Sequence, residues 1–388
     1  MLVGWDWPDR KGRGRRLGRA AASLTIPKAL QFCHTLGVSS AIETLEQRIG
    51  KRWIAIAQAQ ATTDDLLRRL RDAVQEFEDP NVAVVTTGSL GRGEATKDSD
   101  ADWMLLVDGL SNPDHARLIP KIGERIREIL PKNVGLTGTF ADIVVSHDLV
   151  HYIAGTRDTN ENLTRRILLL SESRALTNPI VRDRVIRNVL TRYVVDDRSV
   201  PSRSGKRQTV PHFLLNDVVR YWRTIASDYA SKMWERQYQG FGIRNIKLRF
   251  SRKLLFIWGL LAAFSGELFA PPDLQGVESD DEYYRLLAER IREQTDVAPL
   301  ELLARVVLEV GDDSIADRIF SAYDEFLAAL ADPEKRKALE AVRFEDAVND
   351  ATYGSLRDAS DDFRSGVNDL FFDAHPKLRT EIRKFGVF

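Results

Sequence analysis

The stretch from residue 86 to residue 107, TTGSLGRGEATKDSDADWMLLV, constrains the fold of this chain more than any other part. An apolar run leads into the Gly-Ser pair of Gly88 and Ser89. Ten residues separate that pair from Asp100, and Asp102 follows immediately before a second apolar run. The pattern predicts a strand, a glycine-rich turn and a second strand that carries two carboxylates.

The residue types in this stretch suit one kind of chemistry. Asp100 and Asp102 are separated by one residue, so on a strand both face the same way, about 7 Å apart. Such a pair suits Mg²⁺ or Mn²⁺, which prefer oxygen ligands. Gly88 permits close approach of a phosphate to its backbone amide, while Ser89 and Arg92 add a hydroxyl and a planar guanidinium. Together they predict a cradle for a nucleoside triphosphate and its metal ions.

The surrounding sequence predicts an α+β fold: a small mixed sheet with helices, followed by a mostly helical half. Within the α/β unit we expect a helix from about residue 62 to 77, strands at 82–86 and 139–146, and an intervening helix with Pro120 in its first turn. Beyond residue 160 the periodicity predicts helices at 163–176, 180–194, 213–234, 244–264, 280–294, 299–310, 314–330, 333–342 and 376–384. The predicted regions are a basic tail and helical segment (1–60), a nucleotide-handling unit (61–160), a helical domain (161–272) and an acidic helical region (273–388).

Composition excludes several classes of protein. The 388 residues carry 56 basic and 57 acidic side chains, so no global charge favours nucleic acid or a membrane surface. Cys33 is the only cysteine, which excludes an internal disulfide and fits a reducing cytoplasm. The longest apolar run, Leu254 to Phe264, is shorter than the roughly 20 residues that a membrane span needs. We therefore expect a cytoplasmic protein without a membrane partner.

Three short motifs of the chain resemble the signature of the DNA polymerase β-like nucleotidyltransferase superfamily: Gly88-Ser89, Gly91-Arg92-Gly93-Glu94 and Ser99-Asp100-Ala101-Asp102. Their spacing looks most like the catalytic module of the uridylyltransferases that modify the PII signalling protein. A softer similarity, to a leucine-rich helix ending in Glu-Ser-Arg, extends over residues 163–176. The resemblance implies that Asp100 and Asp102 hold magnesium and that Gly88 and Ser89 contact the triphosphate.

The resemblance also implies residues that the motifs do not include. Superfamily members usually carry a third carboxylate on a neighbouring strand, and Asp142 is the candidate here, with Asp148 as the alternative. Their helical domains commonly contribute basic side chains to the phosphates, which suggests Lys247 or Arg244. No hydrolase or regulatory domain typical of the PII-modifying enzymes follows the module, so a nitrogen-sensing role is not expected.

These observations predict an enzyme that transfers a nucleoside monophosphate from an NTP to an acceptor and releases pyrophosphate, with Asp142 helping to activate the acceptor hydroxyl. The acceptor is expected to be a protein or a nucleotide. One alternative is a cyclic-oligonucleotide synthase of a bacterial defence system. Another is an inactive nucleotide-binding or scaffold protein whose acidic C-terminal region binds a partner. A weaker hypothesis, RNA binding, depends on a basic arm at residues 1–20 and a polar loop at 196–211.

Overall fold

The computed structural model describes residues 40–131, 140–195, 207–269 and 276–386, with the single positions 197 and 274. The predicted basic arm at residues 1–20 lies outside the described residues, as does most of the predicted loop at 196–211. All described residues belong to one compact unit that begins at Ser40.

A mixed four-stranded sheet lies in the first half of the chain, in the order β3-β2-β1-β4. Strand β1 pairs antiparallel with β2 and with β4, while β2 and β3 are parallel. The strands are β1 (Val82–Thr86), β2 (Trp103–Val107), β3 (Ile143–Val145) and β4 (Arg174–Ala175). Strand β1 has the predicted bounds. All five of its residues are buried, so both of its faces are covered, as its continuous apolar run indicates.

The helices account for most of the remaining chain. Those in the first half of the chain are α1 (Ala41–Ile49), α2 (Ile54–Val74), α3 (Gly88–Arg92), α4 (Asp114–Ile129), α5 (Ser146–His151), α6 (Asn160–Glu172) and α7 (Pro179–Val195). The helical half contains α8 (His212–Glu235), α9 (Phe241–Lys247), α10 (Lys253–Ala263), α11 (Ser265–Leu268), α12 (Asp280–Thr295), α13 (Pro299–Val310), α14 (Asp313–Ala331), α15 (Pro333–Ala341), α16 (Ala351–Asn368) and α17 (Pro376–Phe385). None of the described helices combines the length and the apolar composition that a membrane-spanning segment requires.

Each face of the sheet packs against different helices. One face packs with α2 and α4 and presents Val82, Val84, Trp103, Leu105 and Val107. The other belongs to the large core shared with the helical half and presents Ala83, Val85, Met104, Leu106 and Val144. Asp102 lies two positions before Met104, and side chains two positions apart in an extended chain point to the same side. The chain segment with the two carboxylates is therefore directed toward the helical half. The α+β prediction, with a helical remainder, is confirmed.

Five local predictions were wrong. Helix α2 begins at Ile54 and not near residue 62. Pro120 lies inside α4 and not in its first turn. The third strand begins only at Ile143, and β4 occupies positions predicted to end a helix. The predicted helix over 244–264 is three segments, because a π-helical turn at Leu248–Arg252 separates α9 from α10.

Candidate active site

Asp100 and Asp102 lie immediately before strand β2, which begins at Trp103, and not on the strand itself as predicted. Asp102 is nevertheless fixed against β1. Its carbonyl oxygen accepts hydrogen bonds from the Thr87 amide at 2.8 Å and the Thr86 hydroxyl at 2.9 Å. Asp100 is exposed and Asp102 is half-buried. The backbone of the sheet therefore holds the carboxylate pair at the end of the two central strands.

The Asp102 carboxyl group is electrostatically unfavourable in its charged form. Burial, and then the neighbouring charge of Asp100, raise its pKa to about 7, while Arg252 opposes the shift. Two carboxylates that repel each other at a partly buried position suit a divalent cation, which would neutralise them. Mg²⁺ commonly takes one or two carboxylates and completes its shell with water and phosphate oxygens. The donor set therefore fits such an ion.

The turn at Gly88 depends on the absence of a side chain. Its φ angle is +68°, and a Cβ atom there would lie 2.8 Å from Oδ2 of Asp102. The Gly88 amide donates to Oε1 of Glu172 at 2.9 Å, so the expectation that it donates to a phosphate is not supported. The hydroxyl of Ser89 lies 3.2 Å from that of Ser99. Ser99 directly precedes Asp100, so this contact brings Ser89 close to the carboxylate pair.

Arg92, which we expected to contact phosphate, is instead buried in an ion-pair network. Its Nε donates to Glu94 at 2.7 Å, and its Nη1 donates to Glu172. The Tyr323 hydroxyl on α14 donates to the other oxygen of Glu94. Both carboxylate partners are buried, so the guanidinium is directed inward and not into a cleft. Arg92 therefore joins the glycine-rich turn to α6 and to the C-terminal helices.

Asp142 remains next to the central strand, since its carbonyl oxygen accepts from the Leu105 amide at 2.9 Å. Its carboxylate pairs with Arg165 at 2.7 Å, and its side chain is 51% exposed. Among the residues that the structure describes, no three His, Cys, Asp or Glu side chains form a group able to hold a metal ion. The structure thus brings Asp100 and Asp102 together but does not add Asp142 as a third member of a cluster.

A cavity of about 720 Å³ opens beside Asp100, between the sheet end and helices α6, α8, α9 and α15. Five basic side chains line it: Lys232, Arg244, Lys247, Arg252 and Arg336. Burial lowers the pKa of Lys247 to about 8; Asp100 opposes this shift, and Arg336 and Arg252 add to it. The candidate Lys247 therefore lies near the carboxylate pair.

The π-helical turn explains how the basic residues converge. In a regular α-helix, residues five apart lie roughly 140° apart around the axis. In the π-helical turn the hydrogen bonds run between residues five apart, which brings such residues closer to one face. Lys247 and Arg252 accordingly line the same cavity.

Glu172 and Tyr323 are functional candidates that the sequence analysis missed. Glu172 positions Gly88 and Arg92, and Tyr323 positions Glu94. Each lies 80 or more positions along the chain from the residues it contacts. The Glu-Ser-Arg motif at Glu172 was visible in the sequence, but nothing in it indicated a contact with Gly88. For Tyr323 we find no local sequence signal.

Comparison with known proteins supports an assignment for the region that forms this site. No curated protein matches the chain. Residues 67–163, which include β1, β2, β3 and the glycine-rich turn, match the sequence model of the nucleotidyltransferase domain family. This match supports the expected assignment of residues 67–163 to the polymerase β-like nucleotidyltransferase superfamily.

Proposed function

We propose that the protein is a magnesium- or manganese-dependent enzyme that transfers a nucleoside monophosphate from an NTP to an acceptor hydroxyl. The observation that carries this proposal is the position of Asp100, whose charge is felt by Asp102, beside a cavity lined by five basic side chains. The match to the nucleotidyltransferase domain family supports transfer in general. As part of the same proposal, we place the catalytic unit nearest to that of the PII-modifying uridylyltransferases.

In the proposed reaction, Asp100 and Asp102 hold the divalent cation, which offsets the charge of the triphosphate and of the departing pyrophosphate. The acceptor oxygen bonds to the α-phosphorus while the bond to the bridging oxygen breaks, and pyrophosphate leaves. The hydroxyl proton passes to a base, for which Asp142 is the candidate. Ser89 donates a hydrogen bond to the triphosphate, and Lys247 neutralises part of its charge.

Arg92 and Glu172 have a positioning role in this proposal. Their buried ion pair holds helix α3 against α6, and the hydrogen bond from Gly88 to Glu172 orients the turn beside Asp102. A cradle built on such fixed groups needs little rearrangement when the substrate binds.

The single cysteine supports the cytoplasm, a reducing compartment, as the place of action.

A second candidate function is nucleotide binding without catalysis. It is favoured by one observation: the Asp142 carboxylate is paired with Arg165 and joins no three-residue cluster among the described residues. In that case the C-terminal helices would bind a partner, and the site would sense an NTP. Product formation distinguishes the two functions.

The decisive experiment incubates the full chain with each labelled NTP and Mg²⁺ or Mn²⁺, with and without cell extract. We expect a labelled macromolecule or a new small nucleotide, and loss of at least about a hundredfold in rate for Asp100→Asn combined with Asp102→Asn. Asp98→Asn, which changes a carboxylate in the same loop, is the matched control and should remain active. Equal product from the wild type and the double variant would overturn the proposal.

A further inference from the structure

The end of the cavity formed by α8 and α9 contains two basic side chains that pair with no carboxylate of the described residues. Arg244 and Lys232 line it, and neither makes an ion pair with any residue in the described ranges. The Nε atom of Arg244 is buried and has no hydrogen-bond partner there either. That atom is not accessible from the cavity, but a guanidinium has five N–H donors, and an arginine that lines a cavity without an ion pair suits an anionic ligand.

The electrostatic surroundings of Arg244 strengthen this point. Burial lowers the pKa of its guanidinium, and the nearby charge of Arg236 lowers it further. Asp228 is the carboxylate on this part of the α8 lining, and it forms no ion pair with a described residue. Arg336, in contrast, already pairs with Glu340 at 3.3 Å. The excess positive charge is therefore concentrated around Arg244.

This cluster is distinct from the part of the cavity that faces the carboxylate pair. Lys247 is influenced by Asp100, whereas Arg244 is influenced by Arg236 and Tyr229. The two basic residues of α9 are separated by one turn, about 4.5 Å along the helix axis. Of the two, Lys247 is therefore the one nearer to the carboxylate pair.

Part of the cavity wall is aromatic and aliphatic. It includes Phe140, Ile225, Tyr229 and Met233. The Tyr229 hydroxyl accepts a hydrogen bond from Asn245 at 3.2 Å, which fixes its ring. The volume of about 720 Å³ falls within the range of roughly 300–1,000 Å³ that is typical for small-molecule sites. The cavity therefore suits a small molecule that combines a planar ring with an anionic group.

We propose that this end of the cavity binds the acceptor, and that the acceptor is a nucleoside phosphate whose phosphate group contacts Arg244 and Lys232. Its ring lies against Tyr229 and Ile225, and a sugar hydroxyl is directed toward Asp100. The hydroxyl oxygen bonds to the α-phosphorus of the NTP, pyrophosphate leaves with the electrons of the broken bond, and the hydroxyl proton is released. The inference rests on the proposed function and specifies its acceptor.

The test measures binding to the full chain by calorimetry. The probes are the four nucleoside 5′-monophosphates and the four corresponding nucleosides, each titrated without metal and also with Mg²⁺ and a saturating α,β-methylene NTP analogue. We expect at least one monophosphate to bind about tenfold or more tightly than its nucleoside under both conditions. Arg244→Gln should remove that preference, Lys232→Gln should reduce it, and Arg244→Lys should retain part of it.

Arg223→Gln is the matched control, because Arg223 is an exposed cation on α8 that does not line the cavity. It should bind the monophosphate as the wild type does. If Arg244→Gln does not fold, the half-buried Lys232 carries the test. Two results would overturn the inference. In the first, the monophosphate and its nucleoside bind with equal affinity. In the second, the NTP analogue displaces the monophosphate, and Arg244→Gln lowers the affinity for the analogue as well.

Failure of the proposed function would have a different signature. The NTP analogue would then bind the Asp100→Asn, Asp102→Asn variant as tightly as the wild type in the presence of Mg²⁺. The titrations without metal would still decide whether Arg244 forms a phosphate site, because they require no cation at the carboxylate pair.

Discussion

The backbone amide of Gly88 donates a hydrogen bond to the side-chain carboxylate of Glu172 at 2.9 Å. The second oxygen of that carboxylate accepts from Arg92. One buried acid at the end of α6 thus fixes both the glycine-rich turn and the short helix that follows it. A charged group in such a position is stabilising only while its partners remain in place.

Glu172→Gln should therefore destabilise the fold. The amide would place an N–H against Arg92 and leave the buried guanidinium without half of its compensating charge. We expect the free energy of unfolding to fall by about 3–5 kcal/mol, measured by urea denaturation. Glu128→Gln is the control, since Glu128 pairs with Arg125 at the surface, and it should change stability by less than about 1 kcal/mol. Equal, small effects of both substitutions would contradict the structural role of Glu172.

Gly91→Ala should be more damaging than an ordinary glycine substitution. A Cβ atom at Gly91 would collide with the backbone carbonyl oxygen of Glu172, and backbone cannot move aside as a flexible side chain can. We expect a loss of about 3 kcal/mol or more, or failure to fold. Gly354→Ala, in α16 with open space around it, should instead stabilise by roughly 0.5–1 kcal/mol. Thermal unfolding of both variants tests the contrast, and a mild effect at Gly91 would argue against the close approach of α3 to α6.

The ionisation of Asp102 predicts a pH dependence of stability. Its folded-state pKa of about 7 lies above the ordinary value of 3.8, so the folded protein holds the proton more tightly than the unfolded chain. The free energy of unfolding should consequently fall as the pH rises toward and through 7. Asp102→Asn removes this penalty: its melting temperature should exceed that of the wild type at pH 8 and approach it at pH 5.

Magnesium provides the complementary measurement for Asp102. At pH 8, Mg²⁺ should raise the melting temperature of the wild type, because the cation binds the folded carboxylate pair and neutralises it. The Asp102→Asn variant should respond much less. If Mg²⁺ stabilised both proteins equally, the cation would bind elsewhere.

Lys247 should contribute to NTP binding only while it is protonated. Lys247→Gln is expected to weaken an NTP analogue by about tenfold or more, since hydrogen bonds to charged groups contribute roughly 1.5–3 kcal/mol. Because burial lowers the pKa of Lys247 to about 8, wild-type affinity should decline as the pH rises above that value, and Lys247→Arg should remove the decline. Fluorescence titration with a labelled analogue measures both effects.

The control for Lys247 is Lys253→Gln. Burial also lowers the pKa of Lys253 to about 8, but this residue does not line the cavity. Its substitution should leave the affinity and its pH dependence unchanged. A similar loss at both positions would indicate a general charge effect and not a contact with the nucleotide.

Sequence patterns sufficed for the features that depend on near neighbours. The bounds of β1, the helix positions between residues 280 and 341 and the opposite facing of Asp102 and Trp103 follow from apolar periodicity, caps and breakers, which act over a few residues. The nucleotidyltransferase motifs are likewise contiguous. These local signals were enough to predict the α+β class and the carboxylate pair.

Only the tertiary structure decided which polar groups meet. Arg92 was expected at a phosphate, yet Glu94 and Glu172 surround it, and its network extends to Tyr323 on a helix more than 200 residues away. The convergence of Lys247 and Arg252 required a π-helical turn that no residue pattern indicated. Hydrogen-bond and charge partners are selected by burial, where an unpaired group costs most, and burial is set by how distant helices pack.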